Sequence, residues 1–209
     1  MTKIKICGLK RPEDIEIANH LKPDFCGFIT EFPKSRRNVS ADQLRILAAK
    51  LDPEVVPVGV FVNHAPEKIA ELLNDGVIRI AQLHGQEDED YIRRLKAMTE
   101  QPIIKAFSIR TRADAELACA SSADYVLLDQ GEGGTGKPFD WSLVPEIDRP
   151  WFLAGGLSAE NLAEAIERLH PWAVDLSSAV ETDGFKDFHK IRQVIQLTRA
   201  GIREKDPLN

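Results

Sequence analysis

Lys3-Ile4-Lys5-Ile6-Cys7-Gly8-Leu9-Lys10-Arg11 opens the chain with an alternating run that stops at a thiol and a glycine. Alternation at period two predicts a short strand over 3–7, and Gly8 marks its sharp exit. What comes next separates two architectures. An open dinucleotide-binding sheet carries spaced glycines straight after its first strand, and Gly8-Leu9-Lys10-Arg11 lacks them. Further apolar or β-branched runs lie at 24–29, 56–62, 78–83, 102–107, 124–128, 151–154 and 172–176. Between them the spacing i, i+3, i+4 of a helix with one buried stripe recurs, as in Leu44/Leu47/Ala48/Leu51 and Ile69/Leu72/Leu73. Tyr91/Ile92/Leu95, Leu162/Ala165/Ile166/Leu169 and Phe188/Ile191/Val194/Ile195 repeat it. Ser40 before Ala41 and Ser158 before Ala159-Glu160-Asn161 read as helix caps. The sixth unit is the weakest, because its helix has to lie within 141–147 after a long glycine-rich loop.

Eight strands alternating with about eight helices admit an open doubly wound sheet or a closed barrel. The count and the missing fingerprint favour one α/β domain over 1–209, a (βα)8 TIM barrel with parallel strands. Its last few residues read as a frayed tail.

Composition narrows the function. Hydrophobic residues make up 43% and charged residues 29%, the balance of a soluble protein with a sizeable core. No apolar run approaches the ~18–20 residues of a membrane span. Lys3 and Lys5 interrupt the apolar stretch at the N-terminus, so no signal peptide is expected. Cys7, Cys26 and Cys119 are too few and too scattered for a disulfide framework or a metal site, which suits a reducing cytoplasm. A net charge of −6 argues against a nucleic-acid binder. An anionic substrate therefore needs donors supplied locally.

In such a barrel the C-terminal ends of the strands carry the chemistry. Cys7 and Gly8 end strand one, Ser35-Arg36-Arg37 follows strand two and Asn63 strand three. Gln82-Leu83-His84-Gly85 ends strand four, and Asp129 ends strand six ahead of Gly131-Glu132-Gly133-Gly134-Thr135-Gly136. Ala154-Gly155-Gly156 and Asp175-Leu176-Ser177-Ser178 end the last two strands. Each has a plainer reading too. A free cysteine is commonly a small buried hydrophobe, Asp129 suits a cap or turn, His84 suits a structural role, and the glycines suit turns. The loops after strands seven and eight are the recurrent phosphate cradle of this architecture. Gly155-Gly156 admits close backbone approach, Ser158 starts a helix with free N–H groups, and Ser177-Ser178 adds amides and hydroxyls. A small phosphorylated substrate follows.

These stretches, with Val58-Gly59-Val60-Phe61-Val62-Asn63, Phe139-Asp140-Trp141 and Leu153-Ala154-Gly155-Gly156-Leu157, resemble the phosphoribosylanthranilate isomerase family from residue 3 to about 190. That family performs an Amadori rearrangement in tryptophan biosynthesis. Three positions depart from its pattern: Arg36 where proline is usual, Gln130 where serine is common, and Ala179 where glycine follows the serine pair. The first loosens the second loop, and the last puts the backbone of the eighth loop in question.

The resemblance implies that Asp129 is the general acid that opens the substrate's furanose ring, its carboxyl kept protonated by burial. It implies that Cys7, as thiolate, is the base that takes the C2′ proton. Arg37, with Arg36 beside it, is expected to hold the anthranilate carboxylate. Gln82, His84 and Asp175 are expected to contact substrate, and Gly134, Gly155, Gly156, Ser177 and Ser178 its phosphate. The iminium is the electron sink, so neither a metal nor an organic cofactor is expected. Expected partners are the small phosphorylated substrate alone, without nucleic acid or membrane, in a monomer or homodimer. Two rivals share the fold: a histidine-pathway isomerase, which has an aspartate at the position of Cys7 and a half-barrel repeat absent here, and a non-catalytic phosphosugar-binding barrel.

Overall fold

The structure is a computed structural model and describes residues 1–130 and 140–200. Eight parallel strands run in chain order: β1 (Lys3–Cys7), β2 (Phe25–Thr30), β3 (Val56–Phe61), β4 (Ile80–Leu83), β5 (Ile103–Ser108), β6 (Tyr125–Asp129), β7 (Trp151–Leu153) and β8 (Ala173–Leu176). Each neighbours the next, and β1 pairs with both β2 and β8, so the sheet closes on itself. The register matches Cys7 to Gly27 on one side and Lys5 to Asp175 on the other. Every strand falls within two residues of the sequence expectation.

Alternation along the strands separates inside from outside. Ile4, Ile6, Cys26, Phe28, Val126 and Leu128 join an outer cluster shared with helix residues such as Ile15, Leu44 and Ile166. Phe25, Val58, Ile80, Ile104, Leu127, Phe152 and Ala173 form a separate cluster built from strand residues, which fills the barrel. Its N-terminal end is sealed by aromatic rings. Tyr125 stacks on Trp172 at 5.1 Å, Phe152 meets Trp172 edge-on at 5.4 Å, and Phe25 meets Phe152 at 5.5 Å. Lys3 Nζ lies 4.8 Å from the Trp172 ring, a cation–π contact at the same end.

Helices α1 (Pro12–Leu21), α2 (Ala41–Ala48), α3 (Pro66–Asn74), α4 (Glu89–Lys96), α5 (Arg112–Ala120), α6 (Leu162–Leu169) and α7 (Phe188–Ala200) cover the outside. Ser40 caps α2 as read from the sequence: its hydroxyl accepts from Gln43 N at 3.1 Å while the Gln43 side chain accepts from Ser40 N. Two expectations need correction. Among the described residues the sixth crossover holds no α-helix, only a 3-10 turn at Trp141–Leu143. Pro145 explains the stop, since the residue before a proline is driven out of the helical region, and Val144 is extended at ψ 117°. Ser158 is not the cap of α6 either. The helix begins after Asn161, with a single turn from Ser158 leading into it.

Candidate active site

Two side chains on the inner face of β1 meet two strand neighbours at the mouth. Lys5 is fully shielded from solvent and its Nζ donates to Asp175 Oδ2 at 2.9 Å. Cys7 is also buried, one strand pleat nearer the opening. Gly27, the register partner of Cys7, makes room for both: a Cβ there would stand 2.8 Å from Cys7 Sγ and 3.0 Å from Lys5 Nζ. Burial lowers the Lys5 pKa, but the charges of Asp175 and Cys7 outweigh it and leave the ammonium above its ordinary value. Burial pushes the Cys7 thiol up, opposed first by Lys5 and, more weakly, by Lys186. Burial likewise raises Asp175 against the pull of Lys5. A thiolate at this depth needs a neighbouring positive charge. The adjoining group is the Lys5 ammonium, which strand alternation puts on the same face two residues before Cys7.

Across the mouth stand Asp129, His84 and Gln82. Asp129 ends β6, keeps some exposure, and lies 3.7 Å from His84 Nε2 through its Oδ2. Its Oδ1 accepts from Gln130 N at 2.7 Å. Gly155, at φ +80°, presses against it; a Cβ there would fall 2.6 Å from Asp129 Oδ1, so the position tolerates only glycine. Gln82 Nε2 and His84 Nδ1 are 3.0 Å apart, which fixes the imidazole from behind. Gln82 is buried, and its Oε1, like Asp175 Oδ1, has no hydrogen-bond partner among the described residues. Two buried acceptors thus wait at the floor of one mouth.

Arg36 and Arg37 come together on a residue the sequence reading did not single out. Arg37 donates from Nε and Nη2 to Glu181 Oε1 and Oε2 at 2.6 and 2.8 Å, and Arg36 Nη2 reaches Oε2 at 2.8 Å. Lys186 adds a fourth bond to Glu181 at 2.8 Å. Glu181 and Lys186 face each other on a two-stranded hairpin, Glu181–Thr182 with Phe185–Lys186. Desolvation would raise the Glu181 carboxyl, but the bonds from Arg37 and Lys186 hold it at about 2. Arg37 is 16% exposed and its Cδ rests on Gly8, beside Cys7, whereas Arg36 is 61% exposed. Glu181 thus occupies the Nε–Nη2 edge of Arg37, and the other edge of the guanidinium is the one left for a ligand. Two features brace the second loop. Ser35 Oγ accepts from Arg37 N at 3.1 Å, and Asn38–Val39 adds a short strand onto β2.

The last two loops sit side by side at the rim. Gly155 and Gly156 both have positive φ, and Asn161 braces the loop by donating to Gly156 O and accepting from Ser158 N, each at 2.9 Å. Ser177 Oγ donates to Cys7 O at 3.0 Å, tying the eighth loop to the first. Ser178 starts a 3-10 turn ending at Val180, and Ala179 within it has no positive φ, so the turn does not require glycine there. Gly134 lies outside the described residues. The signal that would have exposed the hairpin is Asp183-Gly184, a two-residue turn with φ +53° and +80° between Thr182 and Phe185.

A thiol beside an ammonium, facing a carboxylate across a mouth with open acceptors, suits proton transfer to and from a small polar molecule. Among the described residues no group of histidine, cysteine and acidic side chains could hold a metal ion, and no helix is long and apolar enough to cross a membrane. Comparison with known proteins gives the same family at every level. The family model described as N-(5'phosphoribosyl)anthranilate (PRA) isomerase matches residues 4–197. The N-(5'-phosphoribosyl)anthranilate isomerase of Endomicrobium trichonymphae is 44% identical, over 96% of this chain and 100% of its own. The crystal structure of phosphoribosyl anthranilate isomerase from Thermus thermophilus superposes with a TM-score of 0.83 at 33% identity, covering 95% of this chain and 99% of that one. Another structure of the enzyme, in complex with reduced 1-(o-carboxyphenylamino)-1-deoxyribulose 5-phosphate, has a TM-score of 0.80 at 32% identity, covering 96% and 100%. The chain belongs to the phosphoribosylanthranilate isomerase family, the matched region running from the second residue of β1 past the end of β8.

Proposed function

We propose that this isomerase converts N-(5'-phosphoribosyl)anthranilate to 1-(2-carboxyphenylamino)-1-deoxyribulose 5-phosphate with Cys7 as general base and Asp129 as general acid. The observation that carries the assignment is their placement at one mouth, the thiol backed by Lys5 and the carboxylate braced by Gly155 and His84. Asp129 delivers its proton to the furanose oxygen, the C1′–O bond breaks, and the nitrogen lone pair closes to an iminium. The Cys7 thiolate then takes the C2′ proton, and the released pair flows to the iminium nitrogen. The resulting enolamine tautomerises to the ketone. The substrate supplies its own electron sink, so turnover should survive exhaustive chelation.

Substrate contacts follow from what the site leaves open. The free acceptors Asp175 Oδ1 and Gln82 Oε1 suit the sugar hydroxyls, and His84 lies against Asp129 where the ring opens. Gly155, Gly156, Ser177 and Ser178 suit the phosphate, with Gly134 assigned to it from the sequence pattern. Arg37 meets the anthranilate carboxylate with its remaining edge, assisted by Arg36. The enzyme acts as one domain over 1–209 in the cytoplasm, as a monomer or homodimer, with the phosphorylated substrate as its partner. Loss of anthranilate-type fluorescence on mixing the protein with the substrate tests the reading directly. Binding without turnover would overturn it.

A further inference from the structure

The acid–base scheme leaves the most deeply buried charge of the mouth without a task. Lys5 is fully shielded, and an uncompensated ammonium there would cost several kcal/mol. A leucine or isoleucine at this inward position would fill the same space without that cost, so packing alone does not account for a lysine. Asp175 at 2.9 Å balances the charge and holds the amine from one side. On the other side the amine shares the space left by Gly27 with Cys7 Sγ, the two atoms lying 3.0 and 2.8 Å from the same point.

We propose that Lys5 is the positioning residue of the Cys7 base: clamped by Asp175, its ammonium holds the sulfur's negative charge whenever the thiol has given up its proton. The inference rests on Cys7 being the base. A thiol in this setting is pushed up by burial, and a neutral thiol cannot take a proton from carbon, so a fixed cation decides how much thiolate exists. The proton that leaves Cys7 before the reaction goes to water. Lys5 keeps its own throughout, since its pKa is raised, and it acts as a charge clamp and not as a proton carrier. The other groups around the sulfur are Asp175 on β8, which opposes ionisation, Lys186 on the hairpin, which favours it, Cys26 on β2, and Arg37 lying over Gly8. Asp129 and His84 couple to the pair through Asp175.

The test is the pH profile of kcat/KM for the wild type, Lys5→Met and Lys5→Gln. Removing an adjacent opposite charge moves a pKa by ~1–3 units. The limb on which activity rises with pH should therefore shift upward by that amount, with about a tenfold or larger loss at pH 7 that is partly regained at high pH. A loss of equal size at every pH, or no loss, overturns the proposal. Activity surviving in Cys7→Ala would overturn the base assignment itself, which is a different result. In wild-type protein labelled at lysine and cysteine, the Cys7 Cβ and Lys5 Nζ resonances should share one titration step. Independent titrations overturn the proposal whether or not the variants fold.

Discussion

Lys3 and Lys5 stand two residues apart on β1 and face the same interior, yet the barrel holds them by different means. Lys3, at the N-terminal end, lies over the rings of Trp172 and Phe25 at 4.8 and 5.7 Å. Lys5, one pleat further, is sealed from water and ion-paired with Asp175. Between them the filling changes from stacked aromatics to carboxylates, an amide and a thiol. The N-terminal end is built for packing, where interaction energy goes into holding the fold. The C-terminal end keeps charges buried and acceptors unpaired, an arrangement that costs stability and supports chemistry.

That contrast can be broken at either end. The largest effect belongs to the mouth: Cys7→Ala and Asp129→Asn should each lower kcat by ~10²–10⁴-fold while thermal melts stay close to wild type. At the other end Phe152→Ala should cost ~3–5 kcal/mol in urea titrations, with kcat per folded molecule nearly unchanged. A Phe152→Ala enzyme that is stable but slow would undo the division. Arg37→Ala should raise KM by roughly ten- to a hundred-fold, for a charged hydrogen bond of ~1.5–3 kcal/mol, and the exposed Arg36→Ala should do less. The reverse order in steady-state kinetics would move the carboxylate contact to Arg36.

The arginine cluster also predicts a pH effect. Glu181 titrates at about 2 in the folded protein against an ordinary 4.5. Its stabilising contribution is thus complete above pH 4.5 and is lost as pH falls toward 2. Denaturant melts across that window should lose stability in the wild type and lose less in Glu181→Gln. The smallest effect is at Lys3: Lys3→Met should cost ~0.5–2 kcal/mol and leave the pH profile of kcat/KM where it was, unlike Lys5→Met. A moved profile would mean the two lysines are not separated after all.

Most strands were legible because a buried parallel strand reads as an apolar or β-branched run, and β1 because its residues alternate at period two. The sixth crossover was not, because Trp141, Leu143 and Val144 look like a helical stripe until Pro145 is weighed. Cys7, Asp129 and Gly155 were readable as strand-end residues, and the structure places all three at the mouth. Lys5 was overlooked because a charge in an apolar stretch reads as an interruption, although alternation alone puts it beside Cys7. Glu181 lies 144 residues from Arg37, and no local pattern ties them. Only the Asp183-Gly184 turn hinted that a hairpin presents Glu181 and Lys186 to the second loop.

The Lys5–Asp175 bond spans 170 residues, and so does the bond from Ser177 to the Cys7 carbonyl. A chain made from its N-terminus therefore exposes the lysine and the thiol long before the strand that completes them is synthesised. Helices and neighbouring strands can form early from local contacts, but barrel closure waits for β8 and carries the entropy of a loop that spans nearly the whole barrel. The catalytic pocket is accordingly among the last parts to assemble. A chain interrupted before residue 173 would hold most of the secondary structure and none of the charge balance at its centre.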